Sequence, residues 1–494
     1  VEERRPRARA RRRLLGLAAI GLALAGLALV VLELRLSGPL GMSVYVLQRS
    51  FRNFVRDATV PEPARLDGFA NAGPNVLIVV LDCYRYDYLA HAPALRALAE
   101  RSWLYDDYYA AAPWTKPSTV SLFTGLLVRK HFILKGGGSQ LPEDVVTIAE
   151  RMRERGFRTG GFVWNPHLTR RQAFDQGFDH YVDHARRGSK SMLYELFAWL
   201  DRERPERFFA YIHFQGTHDP YYDDNDLSSL LSAPAYSGDL DLTNMEYKQD
   251  VKKGRVLTPE ESAHLAHIAY GKAARIDRQA VRPLVERLEA SKLLENTLVV
   301  VTSDHGDAFF EHGSVSHGGT IHDEEVHVPL VVHYPAAFAK ARGFAATGTD
   351  ACPASTVDLL PTALDFIGAP PLDAIDGRSL VPATRGAGCG AEVITERTLE
   401  EGRIAGAALV RSGRKLIVDY TDGGRKLRLY DLAGDPGETR DLASERSDEV
   451  QQLDALLMRR LNADGASMAR WKSADDGSLP AEQIDALREL GYVD

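Results

Sequence analysis

Apolar residues follow one another almost without a break along Asn75 to Leu81 and Thr297 to Thr302. Continuous runs of this length are expected of strands buried on both faces of a parallel sheet. Between them, segments with a helical apolar period alternate with short apolar runs: Val145 to Arg155 is predicted helical, and Phe157 to Trp164 and Phe208 to Phe214 are predicted strands. Thr258-Pro259-Glu260-Glu261 has the composition of a helix start, with Thr258 as cap, Pro259 at the first helical position and Glu261 completing a capping box. Leu265, Ile268, Ile276, Ala280, Leu284 and Leu288 then keep one apolar face, so the helix is predicted to end near Lys292. This rhythm predicts an α/β domain.

Asp223 to Arg255 breaks the pattern, being polar and irregular, and is expected to form a rim over a functional site. After Arg385 the texture changes again. Ala408 to Tyr420 and Lys426 to Leu432 read as strands of a smaller sheet, and Asp448 to Leu461 as an amphipathic helix. The expected organisation is a basic N-terminus and anchor over 1–36, a linker over 37–71, a catalytic domain over 72–385, a C-terminal subdomain over 386–462 and a tail over 463–494.

Charge sharpens the front of the chain. Seven arginines against Glu2 and Glu3 give the first thirteen residues a net charge of +5, in a chain whose total is −8. The uncharged run Leu14 to Leu32 follows, long enough to cross a hydrocarbon core. The arginines predict a cytoplasmic N-terminus, a single-pass anchor in the cell membrane and an extracytoplasmic domain, with a cleaved signal peptide as the alternative. A net negative charge argues against nucleic acid as a partner. Of the three cysteines, Cys352 and Cys389 would lie in an oxidising compartment, where a disulfide between them can form.

Candidate chemistry gathers at predicted strand ends. Asp82 follows the first buried run and Asp304-His305-Gly306 the second, and ligands of open α/β sheets collect beyond such carboxyl ends. Thr115 and Pro117 suggest a helix N-terminus at which free amide groups favour an anion. His218, in Thr217-His218-Asp219-Pro220, follows a buried strand, and His317 lies twelve residues after His305. His312, His322 and His327 are read as solvent or core residues, and His213 as structural.

The run from Ala112 through Thr115-Lys116-Pro117-Ser118-Thr119 to Gly125 resembles the nucleophile loop of the sulfatase and alkaline phosphatase superfamily. Asn75 to Asp82, Asp304-His305-Gly306, Pro329 to Val332 and Leu429-Tyr430-Asp431-Leu432 resemble further family segments. The resemblance implies an α/β fold in which a mixed, mainly parallel sheet lies between helices, with a small C-terminal antiparallel sheet. It implies that Asp82, Thr115, Asp304 and His305 bind one divalent metal ion (zinc, manganese, magnesium or calcium). His305 in place of the asparagine of calcium-binding sulfatases suits zinc or manganese better than calcium. It makes Thr115 the nucleophile, with His218 and His317 contacting the transferred anion. Lys116, Lys130 and Asn165 are carried as substrate-binding candidates.

Thr115 stands where sulfatases carry the cysteine that becomes formylglycine, and Thr119 stands in place of their arginine, so no formylglycine is expected. Cys83 replaces a second aspartate, and Gly161 to Pro166 lacks the lysine and histidine of the Gly-Lys-Trp-His segment. The expected activity is hydrolysis of a phosphate or sulfate ester through a covalent threonine intermediate. The alternatives are phosphoethanolamine- or phosphoglycerol-type transfer onto an envelope lipid or glycan, and a silent binding protein on the same fold.

Overall fold

The computed structural model describes residues 73–462 except 134–139, 184–187, 222–235, 237, 243–244, 383–390, 400–403 and 422–423, together with Leu66, Phe69 and Asn71. By internal contacts the described residues all fall in one unit, Glu62–Asp494. The expected anchor, Leu14 to Leu32, falls outside the described residues. Among these, no helix is long and apolar enough to cross a membrane.

Sixteen strands are described: β1 (Asn75–Leu81), β2 (Trp103–Tyr105), β3 (Tyr108–Tyr109), β4 (Arg158–Val163), β5 (His180–Asp183), β6 (Phe208–Phe214), β7 (Thr297–Thr302), β8 (Ala308–Phe309), β9 (Val315–Ser316), β10 (Leu330–His333), β11 (Gly348–Asp350), β12 (Ala354–Ser355), β13 (Val393–Thr398), β14 (Ile404–Arg411), β15 (Arg414–Thr421) and β16 (Gly424–Asp431). Eight form the main sheet in the order β11-β2-β10-β7-β1-β6-β4-β5. Its pairings are parallel except where β10 meets β7 and β2. β13 to β16 form a four-stranded antiparallel sheet in chain order.

β1 shows why the run is unbroken. Leu77, Val79 and Leu81 enter one core, with the helices Ser189–Glu203 and Pro259–Ile276, while Val76, Ile78 and Val80 enter another, with Thr115–Thr124 and Leu359–Phe366. A central strand with helices over both faces has no polar side.

Several boundaries differ from expectation. The helix expected from Val145 spans Ile148–Glu154, because Thr147 and Glu150 close a capping box. The long helix runs from Pro259 to Ile276, passes through a π-turn over Asp277–Val281 and resumes over Arg282–Ala290. Pro283 has no N–H to give the preceding turn, and Asp277 Oδ2 and Oδ1 accept from Ala94 N and Leu95 N at 2.9 and 2.8 Å. Ala408 to Tyr420 spans two strands, since Ser412 and Gly413 at φ of 51° and 73° reverse the chain into a hairpin. The polar segment expected as a rim contains a helix, Glu246–Lys252.

Cys352 is disulfide-bonded, Cys83 is a buried free thiol, and Cys389 falls outside the described residues.

Candidate active site

The parallel register brings four strand ends level. Val80 of β1 pairs with Thr302 of β7 and His213 of β6, and Val163 of β4 also pairs with His213. Beyond these ends stand Asp82, Asp304-His305, His218 and Asn165, all buried. Side chains tie the ends together. Ser303 Oγ donates to the Leu81 carbonyl at 2.6 Å and accepts from Tyr84 N at 2.9 Å, and Thr217 Oγ1 donates to the Asp82 carbonyl.

Thr115 opens the helix Thr115–Thr124, preceded by Trp114 in an extended conformation and ended by Gly125 at φ 69°. Every residue of that helix is buried, so its start is fixed by packing on all sides. Ser118 Oγ donates to the Asp304 carbonyl at 2.6 Å, joining the first turn to the end of β7. Thr115 Oγ1 lies 3.2 Å from His305 Nε2. Gly306 is required where it stands, because a Cβ there would come within 2.2 Å of the Glu324 carbonyl oxygen.

Lone pairs converge on His305 Nε2. Its Nδ1 faces the Gly306 carbonyl at 2.8 Å and so carries a proton, and the neutral form of the ring presents its lone pair at Nε2. Around Nε2 lie Thr115 Oγ1 at 3.2 Å, Asp304 Oδ2 at 3.5 Å and Asp82 Oδ1 at 3.7 Å. Asp304 Oδ2 is buried with no hydrogen-bond partner, while Asp304 Oδ1 accepts from His305 N at 3.0 Å. Asp82 Oδ2 is held from the other side by Asn165 Nδ2 at 2.6 Å and His213 Nε2 at 3.1 Å. Two carboxylates, an imidazole lone pair and a hydroxyl, one of their oxygens unpartnered, are a donor set that fits a divalent cation.

The electrostatics agree. Burial alone would raise the Asp82 carboxyl, but His213, with His218 and His305, outweighs it and holds the group below the usual carboxylate range. Burial and then the Asp82 charge push Asp304 up. Opposite shifts in neighbouring carboxyls mark a site where two negative charges are costly without a cation.

The two anion-facing histidines differ. Burial lowers His218, but the Asp219 carboxylate, with Oδ1 3.0 Å from Nδ1, outweighs it and leaves the group above its ordinary value. Burial, then the charges of His305 and His218, hold His317 well below its ordinary value. The His317 ring is 4.6 Å from that of His305, 4.9 Å from His218 and 4.7 Å from Trp114. Its Nδ1 is 3.3 Å from Asp307 Oδ1 and 3.5 Å from Cys83 Sγ. Cys83 is pushed up by burial and by the surrounding carboxylates, so it stays a thiol.

Asp82, Thr115, Asp304, His305, His218, His317 and Asn165 therefore gather in one buried cluster. Lys116 is buried directly after Thr115. Lys130 extends its ammonium to Asp376, with Nζ 2.8 Å from Oδ1. His213, read from sequence as structural, contacts the cluster through Asp82. Only the register that sets it beside Val80 reveals this, and no sequence signal marks it.

Comparison with known proteins gives the arrangement a family. The Sulfatase family profile matches residues 74–369, more than half of the chain. The choline-sulfatase of Rhizobium meliloti is 23% identical over 85% of this chain and 92% of its own length. The Delta 4,5-hexuronate-2-O-sulfatase of Bacteroides thetaiotaomicron is 24% identical over 70% of this chain and 78% of its own. The phosphonate monoester hydrolase of Agrobacterium radiobacter has a similar fold, with a TM-score of 0.63 at 20% identity over 83% of this chain and 100% of that one. That of Silicibacter pomeroyi gives 0.61 at 20% identity over the same shares. With a family profile spanning both strand-end motifs and the threonine helix, the chain belongs to the sulfatase family and is a sulfatase-like ester hydrolase.

Proposed function

We propose that the protein hydrolyses a phosphorus or sulfur ester, phosphorus preferred, with Thr115 as nucleophile and one divalent cation held by Asp82, Thr115, Asp304 and His305. The observation that carries this reading is the position of Thr115 Oγ1, at the start of a buried helix and 3.2 Å from an imidazole lone pair that two carboxylate oxygens also face. A bound cation would favour the alkoxide form of the threonine, an otherwise weak nucleophile at neutral pH.

The chain's own groups supply the rest. The Thr115 oxygen attacks, and free amides of the first helical turn face the incoming anion. His218, raised toward the imidazolium form, donates to the leaving alcohol oxygen, and His317, held in the neutral form, offers its single ring N–H to an equatorial oxygen. Asn165 and His213 hold Asp82 in place. Water then attacks the covalent threonine ester and restores the enzyme, and an acceptor alcohol in place of water would give transfer. No formylglycine enters this scheme, since residue 115 is threonine.

The relatives' names support both halves of the substrate class, sulfate esters and phosphonate monoesters. The arginine-rich start and the apolar run Leu14 to Leu32 support a membrane anchor with an extracytoplasmic domain, and the disulfide at Cys352 suits that compartment. Turnover of nitrophenyl sulfate, phosphate and phosphonate esters by wild type, Thr115→Ala and Thr115→Ser tests the reading. It expects loss of all turnover in the alanine variant and partial retention in the serine variant. Full activity of Thr115→Ala would overturn it.

A further inference from the structure

Asp219 is a buried carboxylate with no step of its own in the reaction, yet it joins three separate segments. Its Oδ1 lies within ion-pair distance of His218 Nδ1, at 3.0 Å, while the hydrogen bond of Nδ1 goes to the Asp219 backbone carbonyl at 2.6 Å. Its Oδ2 accepts from Ser316 Oγ at 2.8 Å and from Lys248 Nζ at 2.7 Å. Ser316 immediately precedes His317 and has φ of 69°, a conformation uncommon outside glycine. A neighbouring clamp acts on the backbone: Lys272 Nζ donates to the carbonyls of His218 and Pro220.

Lys248 is the informative member. It sits on the helix Glu246–Lys252, within the polar segment read as a rim, and it is only 8% exposed. Burying an ammonium and a carboxylate together adds little net stability over an apolar pair of the same volume, because both lose their hydration. Removing one partner leaves the other charged and dry. The pair is therefore a poor device for general stability and a good one for fixing register.

We propose that Asp219 and Lys248 are a positioning pair that holds His218 and the His317 loop in one frame and makes that frame depend on the rim helix being seated. The inference rests on the donor roles assigned above to His218 and His317. With Lys248 in place, the Asp219 charge is shared between the ammonium at Oδ2 and the imidazole near Oδ1, and Oδ2 also holds Ser316. Without Lys248, the carboxylate is under-compensated and turns toward His218 alone, so the two histidines lose their common anchor.

The test uses the full chain with Lys248→Met, Lys248→Arg, Asp219→Asn, the Asp219→Asn/Lys248→Met double variant, and His218→Asn as reference. Each is assayed on a nitrophenyl ester and on an alkyl ester of the same acid, with melting temperature as the fold control. Lys248→Met is expected to lower kcat roughly tenfold to hundredfold with KM changed by less than about threefold, the size of effect a displaced catalytic group gives. The loss should be larger on the alkyl ester, whose leaving oxygen needs a proton. Lys248→Arg should recover most of the activity, and the double variant should fall no further than the worse single, as for groups acting as a unit.

Unchanged kcat in both Lys248→Met and Asp219→Asn, with His218→Asn inactive, would overturn the positioning inference alone. Equal losses on both esters, tracking a fall in melting temperature and not rescued by arginine, would also overturn it. Full activity in His218→Asn would overturn the role given to His218 and the inference with it.

Discussion

Asp304→Asn separates a cation-binding carboxylate from one that merely packs, because the two predict opposite signs in metal-free protein. In wild type, Asp304 Oδ2 is buried without a hydrogen-bond partner and lies 3.5 Å from His305 Nε2, with burial and the Asp82 charge pushing the carboxyl up. A cation present at about a thousand times its Kd stabilises the fold by roughly 4 kcal/mol. Groups that only hold a ligand in place are worth about 10- to 100-fold in affinity, so removing a charged ligand should cost at least about 100-fold. At the same cation concentration the variant then keeps roughly 1.4 kcal/mol, a loss of about 2.7 kcal/mol. In chelator the sign reverses. Asparagine preserves the oxygen that accepts from His305 N at 3.0 Å and removes a buried charge, so the variant should equal wild type or exceed it by about 1 kcal/mol. At roughly 1 to 2 °C per kcal/mol for a domain of this size, both effects are measurable in thermal melts with and without chelator. A wild-type melting temperature indifferent to chelator would refute the reasoning. So would an asparagine variant destabilised equally in both conditions.

Three further predictions concern the frame around the site. Glu396 on β13 is fully buried and accepts from Arg129 Nε at 2.5 Å and Arg129 N at 3.0 Å, so Glu396→Ala strands a guanidinium and should cost about 3 kcal/mol in urea unfolding. His131 is buried, its Nδ1 accepting from Ile133 N and its Nε2 facing Ser121 Oγ, and burial lowers its pKa to about 3. A folded pKa below the unfolded value of about 6.5 means the unfolded chain binds the proton first. Stability from this group is therefore full above about pH 6.5 and lost toward pH 3, by a few kcal/mol at most, and His131→Gln should flatten that slope in pH-dependent melts. Gly177 has φ of 88°, and a Cβ there would meet Glu150 N at 2.3 Å, so Gly177→Ala should lower the urea midpoint by the equivalent of about 1–3 kcal/mol without changing the m-value.

Much of this architecture is legible along the chain, and the reasons differ by element. β1, β6 and β7 coincide with their apolar runs because a strand covered on both faces leaves no polar position to blur its ends. The Thr258 capping box is likewise local, needing only residues three apart. What escapes the sequence is set by neighbours far away. The π-turn at Asp277 reflects a carboxylate recruited by Ala94 and Leu95, and the helix Glu246–Lys252 is held by a lysine whose partner lies 29 residues earlier. Strand ends and motifs pointed to Asp82, Thr115, Asp304, His305, His218 and His317. His213 joins them only through the parallel register that sets it beside Val80, and Asp219 only through the folded positions of Ser316 and Lys248.

The central claim is that Thr115 carries the reacting group, and intact mass of rapidly quenched protein tests it most directly. Mixed with an activated ester, wild type should gain the mass of one phosphoryl or sulfuryl group, mapped by fragmentation to Thr115, and Thr115→Ala should gain none. Turnover by Thr115→Ala at the wild-type rate, or a label mapped to any other residue, would contradict the account.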